Sequence, residues 1–180
     1  MLTLYGHPIS SYTWKVLIAL YENDTPFEHF TIEQSTYAEF IALWPVGKFP
    51  LLRDDRRGTI VTETSVIIEY LDLHYPGRTR FVSPDARAAL DVRRWDRILD
   101  NYVETHYPSS EAITDRLGAE GKRDEVGVDE ARRLIRSAYT VIEPQLGERE
   151  FIVGDEFTLA DCAAAPPLWY GVRNGPLQGR

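Results

Sequence analysis

Two different periods of apolar and polar residues alternate along the first third of the chain. Leu2 and Leu4 flank the polar Thr3 with the two-residue repeat of a strand, and Gly6 and Pro8 end that run. Trp14, Leu17, Ile18 and Tyr21 follow at helical spacing and stop at the turn residues Asn23-Asp24-Thr25-Pro26. Phe27 to Ile32 predicts a second strand, and Tyr37 to Trp44 predicts a short helix closed by Pro45-Val46-Gly47. Phe49 to Leu52 and Thr59 to Val61 read as short strands around a hairpin loop, Asp54-Asp55-Arg56-Arg57-Gly58. A helix from Thr64 to His74 ends at Pro76-Gly77. The order β-α-β-α-β-β-α predicts an α/β sandwich with one small sheet.

Beyond this point only helical periods occur. The division expected is an α/β domain over 1–76, a linker over 77–84 and an all-α domain over 85–180. Ser83-Pro84-Asp85 offers a cap, an early proline and an acid for a helix start, and Trp95, Leu99, Tyr102 and His106 then form one stripe. Asp115 to Asp129 reads as a charged loop or frayed helix end. Ala131, Leu134, Ile135, Ala138, Ile142 and Leu146 make a second amphipathic helix. Thr158-Leu159-Ala160-Asp161 is a capping box with Asp in the position usual for Glu. Pro166-Pro167 is expected to interrupt the last helix, with an irregular tail from Gly171 to Arg180.

Composition narrows the function classes. With 20 basic and 28 acidic residues the chain carries a net charge of −8, which argues against nucleic acid or an anionic membrane as main partner. The single cysteine, Cys162, excludes an intrachain disulfide, a Cys-x-x-Cys redox pair and a thiolate zinc cage. No apolar run reaches the roughly 18 residues of a membrane span. The first residues lack the basic region of a signal peptide, so a cytoplasmic protein is expected. His7, His29 and His74 have no metal-like spacing with any partner, and no metal site is expected.

Four motifs, in order, then carry a resemblance. Ser10-Ser11-Tyr12-Thr13-Trp14-Lys15-Val16, Gly47-Lys48-Phe49-Pro50, the stretch Glu63 to Leu71, and Phe157-Thr158-Leu159-Ala160-Asp161 resemble motifs of the glutathione S-transferase family. The first resembles the Ser-Ser-Cys-x-Trp-Arg-Val segment of the zeta class, with Tyr12 in place of the cysteine. The resemblance spans essentially the whole chain. It implies a thioredoxin-like first domain that binds glutathione and a helical second domain that supplies most of the pocket for a small electrophile. It also implies a homodimer, and the chain departs from it in a C-terminus expected to be shorter than the family's, which normally continues with further helices.

The implied reaction adds the glutathione thiol to an electrophile. A free thiol with a pKa of about 8.5 is only a few per cent thiolate near neutrality. A hydroxyl donor and the positive end of a helix, both aimed at sulfur, would raise that fraction. The resemblance assigns the hydroxyl to Ser10; read alone, Ser10 is a helix cap. Ser11 and Tyr5 are the competitors. Phe49, before a proline (Pro50) that is cis in the family, would pair through its backbone with the cysteinyl unit, and Lys48 would reach the glycyl carboxylate. Glu63 and Thr64, otherwise an ordinary helix start, would hold the γ-glutamyl ammonium and carboxylate. Tyr12, Tyr102, His106 and Tyr107 are candidates for the electrophile pocket, although a helical aromatic stripe such as that of the last three is more often core than pocket. Thr158, Asp161 and Cys162 are read as structural, and Trp44 as packing between the second helix and the ligand loop.

Overall fold

A computed structural model of the chain describes residues 1–106 and 125–173. They fall into two compact units, Met1–Pro84 and Asp85–Arg180.

The first unit is built on a four-stranded sheet of order β2-β1-β3-β4. β1 is Leu2–Gly6, α1 Ser11–Glu22, β2 Glu28–Thr31, α2 Tyr37–Leu43, β3 Leu51–Asp54, β4 Thr59–Thr62 and α3 Thr64–His74. β1 runs parallel to β2 through the α1 crossover, while β1–β3 and β3–β4 are antiparallel. All five residues of β1 are buried, as a central strand covered on both faces requires. Leu4, Val16, Leu20, Leu52, Ile67 and Ile68 are fully buried. Tyr5, Ile32, Phe40 and Leu51 form a second cluster, against which Trp44 and Phe49 pack.

Asp54 ties α3 to the β3–β4 hairpin. Its buried carboxylate accepts from the Tyr70 and Tyr75 hydroxyls at 2.7 and 2.6 Å and from the Arg56 N–H at 2.9 Å. Burial by itself would raise this carboxyl, but the phenols of Tyr75 and Tyr70 and the N–H groups of Arg56 and Arg57 outweigh it and hold it below the usual range. Burial, and then the hydrogen bond to Asp54, push the Tyr70 phenol up.

The stretch expected as a linker is fastened to the first unit. The Asn23 side chain accepts from Thr79 N–H and donates to Thr79 C=O, both at 2.9 Å, and Asp72 accepts from the N–H groups of Phe81 and Val82 at 3.2 and 3.0 Å. Phe81 is fully buried. A Cβ on Gly77 would lie 2.3 Å from Asn23 Cγ, so only glycine lets the two segments approach.

In the second unit, α4 is Ala86–Leu99, capped by Asp85, whose side chain accepts from Ala88 N–H. A π-helical turn, Asp100–Glu104, continues it. Trp95, Leu99 and Val103 form the buried stripe, and Tyr102 is 56% exposed. The expected stripe is therefore corrected at Tyr102: the chain advances by one turn to Val103 instead. α5 is Glu125–Leu146, with Val128, Ala131, Ile135, Ala138 and Ile142 buried. Of the charged stretch Asp115 to Asp129, expected as a loop or frayed helix end, residues 125–129 are helical, and the residues before Glu125 lie outside the described ones.

α6, Leu159–Arg173, runs through Pro166 and Pro167, correcting the expected break. Both prolines are buried, and α6 packs along α4. Burial of a helix lined by Leu159, Ala160, Cys162, Ala163 and Ala164 outweighs the loss of two N–H donors. The helix also takes in residues 171–173, where an irregular tail was expected, and the residues after Arg173 lie outside the described ones.

Candidate functional site

One row of the sheet frames the site. Tyr5 of β1 lies beside Leu51 of β3, and Leu51 beside Thr62 of β4. Three connections therefore leave the sheet at one end: residues 7–10 after β1, Lys48–Pro50 before β3, and Glu63–Thr64 after β4. Strands about 4.8 Å apart make this row roughly 10 Å wide. That is the reach of about three extended residues.

Ser10 caps α1. It has extended backbone angles, its Oγ accepts from Thr13 N–H at 3.2 Å, and its carbonyl accepts from Trp14 N–H at 2.9 Å. Among the described residues its hydroxyl hydrogen has no protein acceptor, so the group that caps the helix is also free to donate outward. The Ser10 N–H donates to His7 C=O at 3.0 Å, and His7 N–H donates to Thr13 Oγ1 at 3.3 Å, which fixes the loop. Gly6 permits this closure, since a Cβ there would lie 2.5 Å from Thr13 Cγ2. Ser11 is buried at the first position of α1, and Tyr12 is half-buried next to it.

The start of α3 is built differently. Glu63 has φ 68° and ψ 118°, and its side chain makes no cap bond. A non-glycine residue held there costs on the order of 1–3 kcal/mol, and such strain is found at functional sites. Thr64 is buried at the first position of the helix. Lys15, 1% exposed, donates from Nζ to Ser65 Oγ at 3.1 Å and so ties α1 to the first turn of α3.

On the third connection, Lys48 is exposed, Phe49 half-buried and Pro50 buried, and the Phe49–Pro50 bond is cis. The Phe49 ring packs on the Tyr5–Phe40 cluster, and the His7 ring lies 6.4 Å from it. Tyr5 has another use: its hydroxyl accepts from Arg53 at 2.7 Å, and its ring sits 4.6 Å from that of Phe30 in the core. Burial pushes the phenol up, against the pull of Arg53. Trp44 packs on the cluster that holds Phe40 of α2 and Phe49.

The topology thus places Ser10, Ser11, Tyr12, Lys48, Phe49, Pro50, Glu63 and Thr64 at one end of the first unit. Tyr102 and half-buried His106 belong to the second unit, and Tyr107 lies outside the described residues. Sequence reasoning missed Lys15, Ser65 and His7. The phase of α1 held a signal for Lys15, which sits one turn after Ser11 on the face shared with the buried Val16 and Ala19.

Residues 4–79 match the model of the glutathione S-transferase N-terminal domain, and residues 95–176 that of the C-terminal domain. The chain belongs to the glutathione S-transferase family. It is 28% identical over 175 residues to glutathione S-transferase GstB of Escherichia coli strain K12, covering 94% of this chain and 82% of that one. It is 29% identical over 171 residues to a stringent starvation protein A homolog of Coxiella burnetii, covering 94% and 75%. Human glutathione transferase theta-2, solved in complex with glutathione and an unknown ligand, superposes with a TM-score of 0.86 at 25% identity, covering 97% of this chain and 74% of that one. A glutathione S-transferase of Methylobacterium radiotolerans, solved with glutathione sulfonate, gives 0.79 at 30% identity, covering 95% and 79%. The glutathione S-transferase fold, a thioredoxin-like unit followed by a helical one, is the fold described above. Among its described residues no helix is long and apolar enough to cross a membrane.

Proposed function

We propose that this glutathione S-transferase conjugates the glutathione thiolate to small electrophiles, in a detoxifying role and as a homodimer. The observation that carries the reading is the Ser10 hydroxyl at the start of α1, bonded so that its own hydrogen remains to be given. It donates to the bound sulfur, and the partial positive charge of the helix end adds to it. A hundredfold gain in thiolate needs about 2.7 kcal/mol of preferential stabilisation, the scale of one preorganised donor. Ser11, buried, supports the helix start. Phe49 pairs through its backbone with the cysteinyl unit as an added strand. Lys48 meets the glycyl carboxylate. The start of α3 and Thr64 hold the γ-glutamyl carboxylate, and Glu63 pairs with the ammonium. For the electrophile the candidates are those the family resemblance implies, Tyr12 in the first unit and Tyr102, His106 and Tyr107 in the second.

Calorimetry at millimolar glutathione tests the binding, which should saturate; no saturable heat would end this reading. Ser10→Ala should lower the conjugation rate more than Ser11→Ala, and equal or reversed effects would reassign the donor. A second reading, a binding module without turnover, has support in the starvation-protein relative, which is as similar as GstB. Saturable binding with no conjugation across a panel of electrophiles would select it. A third, isomerisation of maleyl-type compounds, has the serine loop in its favour, but Tyr12 stands where the zeta pattern has cysteine.

A further inference from the structure

The geometry points to His7 as a second hydrogen-bond donor at the reacting centre, one that makes this chain selective for α,β-unsaturated carbonyl compounds. The inference rests on the glutathione reading above. His7 lies in the loop between β1 and α1, three residues before Ser10. Its backbone is held from both sides, the carbonyl by Ser10 N–H at 3.0 Å and the N–H by Thr13 Oγ1 at 3.3 Å. Its ring is held as well. Nδ1 accepts from Ile9 N–H at 3.3 Å, and the ring lies 6.4 Å from that of Phe49, tilted by 37°. The imidazole therefore sits between the two segments that flank the cysteinyl unit, the Ser10 loop and the turn at Phe49.

The bond at Nδ1 decides what the ring can do. With Nδ1 occupied as an acceptor, the ring hydrogen lies on Nε2. Among the described residues Nε2 makes no bond to the protein, and the side chain is half-buried, so this N–H is given to solvent or to a ligand. A ring N–H fixed in direction on the far side of the imidazole is an electrophilic hydrogen-bond donor. It favours reactions in which negative charge grows on an oxygen beside the attacked carbon.

Addition of a thiolate to an α,β-unsaturated carbonyl compound is such a reaction. The sulfur electron pair forms the C–S bond at the β-carbon, the carbon–carbon π pair shifts towards the carbonyl carbon, and the carbonyl π pair moves onto oxygen. The Nε2–H of His7 donates a hydrogen bond to that enolate oxygen and keeps its proton. Water then protonates the α-carbon and restores the carbonyl. Displacement of halide from an alkyl halide builds no charge on oxygen and draws nothing from this donor.

Two substitutions separate the two ring nitrogens. His7→Asn keeps an acceptor near Nδ1 for Ile9 N–H and removes the far donor; His7→Gln places an amide N–H near Nε2. The probes are glutathione with a simple enone and with an alkyl halide. His7→Asn should lower kcat for the enone at least tenfold, with KM for glutathione within threefold, and should lower the enone-to-halide rate ratio at least tenfold. His7→Gln should recover most of the ratio. A ratio unchanged in His7→Asn, a parallel rise in KM for glutathione, or no recovery in His7→Gln would overturn the assignment while leaving the transferase reading intact. Wild-type turnover of halides but not of enones would overturn it too. A wild-type chain that binds no glutathione would remove both.

Discussion

Helices α3 and α6 each have a buried threonine at their start, Thr64 as the first residue of α3 and Thr158 just before α6, and the two starts are finished in opposite ways. At α6, Asp161 Oδ2 accepts from Thr158 N–H at 2.8 Å and from the Thr158 hydroxyl at 3.0 Å, Oδ1 accepts from Ile152 N–H at 2.8 Å, and Thr158 Oγ1 accepts from Ala160 N–H at 3.2 Å. The capping box consumes its donors inside the protein, and the start is buried. At α3 the residue in the cap position, Glu63, is strained, exposed and makes no cap bond. A helix start closed by its own side chains serves folding. One kept open at a cost in backbone strain is suited to an outside carboxylate.

The largest effect should come from breaking the closed start. Asp161→Ala leaves buried N–H groups at Ile152 and Thr158 without their acceptor and should cost about 4 kcal/mol. In a chain of this size that lowers Tm by about 10 °C, as read by thermal unfolding. Glutathione affinity of the folded fraction should stay within threefold; a selective loss of affinity would contradict the division of roles. Next is the open side. Ser10→Ala should reduce kcat for conjugation about a hundredfold. Its stability loss should be near 1 kcal/mol, the worth of a cap. If urea unfolding shows a loss of several kcal/mol, Ser10 is chiefly structural.

Smaller again is the anchor that holds α3 in place. The lowered carboxyl of Asp54 means that its contribution is complete above the unfolded value of about 3.9. The contribution is lost as pH falls through the lower folded value. Asp54→Asn should cost about 2 kcal/mol at neutral pH. It should also flatten stability against pH between about 5 and 3 in urea titrations; an unchanged slope would place the acid sensitivity elsewhere. The smallest effect sharpens the comparison itself. Thr64→Val keeps the shape of the open start and removes its hydroxyl, and should weaken glutathione binding about tenfold by calorimetry, or about 1.4 kcal/mol. Stability should move by less than 1 kcal/mol, since this hydroxyl caps nothing that folding needs.

The same contrast explains how much could be read from the chain. Helix starts and stops are local, so the helix from Thr64 to His74 and the Thr158–Asp161 box appear in the structure where the sequence places them. The three site connections were legible as motifs, and the register Tyr5–Leu51–Thr62 is what brings them to one end of the sheet. Features set by partners distant in the chain were not legible. Asn23 and Asp72 fasten residues whose own composition reads as a linker, and Arg53 takes up the Tyr5 hydroxyl from 48 positions away. Lys15 is buried against Ser65, 50 positions on, although a lone lysine on a helix reads as solvated. The prolines of α6 were misjudged because propensity is local, while burial along α4 is not.

The central claim is that the open end of the first unit lowers the thiol pKa of bound glutathione through Ser10. Ultraviolet titration of the thiolate, with glutathione held saturating and protein in excess of free thiol, measures this directly. The account predicts a bound thiol at least one pKa unit below the free value of about 8.5, reverting to within a few tenths of it in Ser10→Ala. A bound thiol that titrates like the free one in the wild-type protein, or a lowered value that Ser10→Ala leaves in place, would contradict it.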